Sequence, residues 1–141
     1  MEQILNDETV SALLLGEYVG DRATVRDVFR RLGWRLFEIR DERRALASLK
    51  RNPVQVVVAE NQPSGAGWLR LLENLRNLPA PPQLVVTSRT ADDFLWAEVL
   101  NRGGFDVLPQ PLERDEVERV VAAAGRHFCS QHLGTLRAAV A

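Results

Sequence analysis

Six residues with usable chemistry stand where apolar runs of this chain give out. Glu17 and Tyr18 follow SALLLG, Glu60 closes VVVAE, Thr87 and Ser88 close LVVTS, and Gln110 follows FDVLP. Carboxylates can hold a cation or accept a transferred group, hydroxyls can hydrogen-bond an oxyanion, and an amide orients its neighbours without carrying charge. Elsewhere the chemistry is thinner. The stretch GEYVGDR, 16 to 22, has two glycines between an apolar run and a helical pattern, but neither a dinucleotide fingerprint nor a P-loop lysine. His127 and His132, with Cys129 between them, fall on different helix faces and no acidic residue backs them, so an ordinary surface placement is expected rather than a metal site. Cys129 is the only cysteine, which excludes an internal disulfide, and no His/Asn framework makes it a nucleophile. With no nucleophile beside a base, no enzyme and no catalytic residue are expected.

Those six residues matter only if the chain brings them together, and its periodicity says how it would. SALLL (11–15), WRLFEI (34–39), VQVVVA (54–59), LVVT (84–87) and FDVLP (105–109) are short apolar runs of the kind that form strands buried on both faces. Between them apolar residues recur at helical spacing: Val25, Val28, Phe29 and Leu32; Ala45, Leu46 and Leu49; Trp68, Leu71, Leu72 and Leu75; Leu95, Val99 and Leu100. A last stripe, Val117, Val120, Val121, Ala124 and Phe128, is followed by Leu133 and Leu136. Asp21, Asp41 and Asp92 or Asp93 are placed to cap helices, Gly33 and Gly103-Gly104 to end them, and LPAPP cannot continue one. Strict alternation of strand and helix predicts a doubly wound α/β fold, a parallel sheet with helices on both faces and right-handed crossovers. Ligand chemistry on such a sheet sits beyond the carboxyl ends of its strands, where the six residues lie.

The chain has 141 residues, enough for one domain with a real core and too few for two comfortable ones. A formal charge of -1, with no charge asymmetry along the chain, argues against nucleic acid as a partner. No stretch approaches the roughly 20 apolar residues of a membrane span, and residues 1–10 are too polar for a signal peptide, so a cytoplasmic protein is expected. Nearly all the cations are arginine; Lys50 is the single lysine.

Taken in order, LLLGE then DRxxVR, PVQVVVAExxPxG, PPQLVVTS and GGFDVLPQP make the chain resemble a response-regulator receiver domain of the CheY-like kind over residues 11 to 126, with 1–10 as a lead-in and 127–141 as a helical extension or tail. The resemblance implies five strands in the order 2-1-3-4-5 with five helices in a flavodoxin-like three-layer sandwich. It also implies an acidic pair after the first strand holding Mg²⁺, an aspartate after the third accepting a phosphoryl group, a Thr or Ser after the fourth, and a lysine before a cis-proline after the fifth. Carried over, these roles fall on Glu17 and Tyr18, on Glu60, on Thr87 with Ser88 beside it, and on Gln110 before Pro111. A phenol is a poor ligand for a hard cation and an amide is no cation, so Mg²⁺ binding is expected to be weak or lost and no metal site is expected. With Lys50 the sole lysine, none can replace the missing one; Arg89 is the nearest spare cation.

The acceptor register has two settings. Counting back from Pro63 places it on Ala59, and counting back from Trp68 places it on Glu60, which the fixed strand-to-helix spacing favours. Glu60 could also be a solvated loop carboxylate, Thr87 could serve β propensity alone, and Tyr18 could be a partly buried aromatic with its hydroxyl in water. The leading expectation is a pseudo-receiver in signal transduction that docks a protein partner, pairs with itself through the last helix, and uses neither nucleic acid nor membrane. A phosphorelay receiver accepting phosphate in an atypical pocket, and a small-molecule binder on the same scaffold, are the alternatives.

Overall fold

The computed structural model describes residues 9–18, 20–61 and 67–140, with side chains as far as residue 132. Among them five strands alternate with five helices: β1 (Ser11–Leu15), α1 (Arg22–Leu32), β2 (Arg35–Ile39), α2 (Glu42–Arg51), β3 (Val56–Glu60), α3 (Gly67–Arg76), β4 (Gln83–Ser88), α4 (Asp93–Arg102), β5 (Asp106–Pro109) and α5 (Arg114–Val140). Every pairing is parallel and the strand order is β2-β1-β3-β4-β5. β3 begins two residues later than the apolar run suggests and ends on Glu60, which pairs in register with Thr87.

Continuous apolar strands leave both sheet faces needing cover, and two core clusters supply it. One packs Leu14, Val58 and Val85 against Val25, Val28 and Phe29 of α1 and Val117, Val121 and Ala124 of α5. The other packs Leu13, Val57 and Val86 against Ala45 and Leu49 of α2, Trp68 and Leu72 of α3, and Val99 of α4. Helix ends follow local rules at α2 and α4: Asp41 and Asp92 accept the backbone N–H groups of Arg44 and Leu95. Asp21 does not. It is the N-cap of α1 by backbone position, but its side chain makes no capping bond.

α5 runs unbroken for 27 residues, so no break separates residues 114–126 from the extension. Val117, Val120, Val121 and Ala124 are buried in the core, which removes them from any dimer surface. Phe128, the last of that stripe, is half-buried, while Leu133 and Leu136 lie outside the described side chains, as does Pro63 from the register argument. No helix among the described residues is long and apolar enough to cross a membrane.

One expectation is corrected by the strand order. Residues 21–51 hold ten arginines or lysines against five acids, and residues 89–119 hold four against eight. The first segment includes β2 and α2 at one edge of the sheet and the second α4 and β5 at the other, while α1 and the start of α5 pack on each other over the same face. A near-neutral total therefore hides a molecule with a basic edge and an acidic one.

Candidate functional site

Glu60, Thr87 and Gln110 converge beyond the carboxyl ends of β3, β4 and β5 because the parallel register brings those ends level. Glu60 lies with its carboxylate folded back under the β1–α1 loop. Its Oε1 accepts the backbone N–H groups of Glu17 at 3.1 Å and Tyr18 at 3.2 Å, and its Oε2 accepts the Gln110 amide at 3.3 Å. Glu60 is thus no freely solvated loop carboxylate. Ala59, the other register, is buried in the cluster under α3.

Close approach of that loop requires Gly16. Its φ is +138°, and a Cβ there would lie 2.8 Å from the Cβ of Glu60 and 3.1 Å from the Tyr18 ring. No side chain fits such a gap. Arg22 fixes the loop from outside: its guanidinium donates to the carbonyls of Gly16 at 2.6 Å and Glu17 at 3.1 Å, and to Glu38 of β2 at 2.7 Å.

Tyr18 departs most from expectation. It is 1% exposed, not half in water, and the Thr87 hydroxyl donates to its phenol oxygen at 2.7 Å. Its φ of +48° is the left-handed conformation that non-glycine residues adopt at a cost, held here by the Glu60 bond at its N–H and by the burial of its ring. Burial pushes the phenol well above its ordinary value of 10.0, the Thr87 bond pulls it down, and the carboxylates of Glu60 and Asp21 push it up again. The site is a filled pocket.

Asp21, assigned to helix capping from sequence, is a pocket residue. It is 4% exposed, and its oxygens accept the Gln110 amide at 2.8 Å and the backbone N–H of Leu112 at 2.9 Å. Gln110 therefore bridges two carboxylates with one neutral amide. The Gln110–Pro111 bond is cis. Ser88 is buried but spends its hydroxyl on Thr90 in its own turn. Glu17 turns outward, half-paired with Arg40 at 3.7 Å. Arg89 is exposed and makes no bond to the pocket among the described residues; Pro111 is exposed behind Gln110. His127 packs at a tilt against Phe105 and His132 against Phe128, and no cluster of three His, Cys, Asp or Glu fit for a metal occurs among the described residues.

Mg²⁺ would need several carboxylate or carbonyl oxygens at about 2.0–2.1 Å. The donor set does not fit it. Both oxygens of Asp21 and both of Glu60 are occupied by N–H donors, Glu17 faces away, and the Tyr18 phenol accepts from Thr87; the buried side-chain oxygen left without a partner among the described residues is Oδ1 of Asn61, a single neutral ligand.

No protein-family profile matches the chain, and no curated protein matches it. Solved structures do. The signal receiver domain of a LuxO-type repressor from Vibrio parahaemolyticus superposes with a TM-score of 0.77 at 16% identity, covering 89% of this chain and 96% of that one. The chain has the receiver fold. The receiver domain of a Francisella response regulator follows at 0.71 and 20% identity, covering 84% and 98%, and the chemotaxis regulator CheY4 of Vibrio cholerae at 0.69 and 15%, covering 82% and 98%.

Proposed function

We propose that this receiver-fold protein is a cytoplasmic pseudo-receiver: a signalling module that docks a protein partner and takes no phosphoryl group. Glu60 stands in the acceptor's place. The observation that carries this reading is the Gln110 amide, bonded to both Asp21 and Glu60 where phosphoryl transfer would need a cation against developing negative charge. Two further features support it. Tyr18 fills the space a substrate phosphate would enter, and Glu60 itself is the anion held by the loop N–H groups of residues 17 and 18. The protein supplies its own charge at a place where other receivers would acquire one.

Incubation with acetyl phosphate and Mg²⁺, read by intact-mass spectrometry, tests the reading. The chain is expected to gain no phosphoryl group. Stoichiometric labelling at Glu60 overturns the proposal in favour of an atypical phosphorelay receiver.

A further inference from the structure

Large apolar side chains are exposed at one place in particular. Phe94, Trp96 and Leu100 of α4 are 73%, 50% and 36% exposed. Acids outnumber cations around them: Asp93 and Glu98 share the helix, Glu98 loosely paired with Arg102 at 3.9 Å, and the Trp96 indole N–H donates to Asp106 of β5 at 3.2 Å, which holds the ring beside the sheet edge. At the opposite edge a groove of about 720 Å³ runs between β2 and α2, lined by Arg40, Arg44 and Arg51 with Ile39 and Ala47; its two acids are already engaged, Glu38 by Arg22 and Arg26 and Asp41 by the Arg44 N–H. Arg35 of β2 and Arg43 of α2 are exposed on the same two elements, and neither forms an ion pair among the described residues.

We infer that these edges dock on each other between copies of this chain, head to tail. Trp96 and Leu100 of one copy seat in the arginine-lined groove of the next, with Asp93, Glu98 and Asp106 meeting its guanidinium groups. The chemistry matches on both sides: planar guanidinium pairs with carboxylates in two-point contacts and stacks on aromatic faces. Exposed aromatics ringed by acid ask for a basic partner with some apolar surface, and this chain carries one. Because β2 and β5 lie at opposite edges of the sheet, one molecule cannot satisfy itself, and the contact is heterologous; it builds rows or rings instead of a closed two-fold dimer. Nucleic acid would explain the basic edge but leave α4 uncovered. The inference stands apart from the phosphate reading, since neither the α4 patch nor the groove includes Tyr18, Glu60, Thr87 or Gln110, and Arg40 alone reaches toward the site, at Glu17.

Sedimentation velocity over a concentration series decides it. At low salt the protein is expected to grow past the dimer as concentration rises, and to return to monomer at about 1 M salt, where charges are screened beyond about 3 Å. Arg44→Glu with Arg51→Glu removes the groove, and Trp96→Ala with Leu100→Lys removes the knob. All four sites are exposed, so both variants should fold with wild-type circular dichroism. Each alone should stay monomeric, and an equal mixture should form a dimer that grows no further, because each partner keeps one working edge. A wild-type chain that stays monomeric at low salt overturns the inference, as does a mixture that fails to pair. Association that survives both variants but is lost in Leu133→Glu with Leu136→Glu assigns it to α5 and overturns it equally. So does a monomer that shifts a DNA or RNA duplex through Arg44 and Arg51.

Discussion

Tyr18 is the chain's single tyrosine and Lys50 its single lysine, so alkaline titration of this protein follows one buried group almost without interference. Burial, reinforced by Glu60 and Asp21, raises the phenol above its ordinary 10.0 in the folded state. A group with a raised folded value contributes stability that is fully present below the unfolded value and lost as pH climbs above it. Stability is therefore expected to be flat up to about pH 10 and then to fall by roughly 1.4 kcal/mol per pH unit from this residue. Tyrosinate absorption should appear together with the loss of tryptophan near-ultraviolet dichroism, in one cooperative step. A tyrosinate midpoint near 10 in a protein that stays folded would show that the ring is solvated, against the Thr87 bond and the burial that define the pocket.

Among the elements, three aspartates stand at helix starts and look equivalent in sequence, yet they do different work. Asp41 and Asp92 accept N–H groups from their own first turns, so Asp41→Ala is expected to cost about 1 kcal/mol in denaturant unfolding. Asp21 instead ties α1 to the β5–α5 loop, and its removal leaves the buried Leu112 N–H unpaired and the Gln110 amide with Glu60 alone. Asp21→Ala should cost about 2–3 kcal/mol; equal losses for the two variants would reduce Asp21 to a cap. That difference marks what was legible. Strand and helix positions follow from apolar spacing, a local signal, and the order of elements along the chain could be read from it. Asp21 could not, because the partners that claim its side chain are 89 and 91 residues away. Tyr18 could not either, since its inward turn needs a positive φ that a non-glycine residue does not announce.

At the scale of the whole molecule, composition averages what topology separates: a charge of -1 says nothing of basic and acidic edges until the strand order puts β2 and β5 apart. The pocket obeys the same logic, since its groups come from four strand ends and only folding assembles them. Lost phosphoryl chemistry should then be recoverable only as a set. Glu60→Asp shortens the acceptor, Tyr18→Asp empties the cavity and adds a metal ligand, and Gln110→Lys supplies the cation. Single changes are expected to give no labelling by acetyl phosphate and Mg²⁺, because groups that act as a unit are far from additive. The triple variant should label measurably. It also loses an aromatic ring buried in the α1–α5 cluster, a cost of about 3–5 kcal/mol, so a thermal melt must first show it folded at the assay temperature. A folded triple variant that stays unlabelled would mean that the close seat of the loop at Gly16, and not the identity of three side chains, is what shuts the pocket.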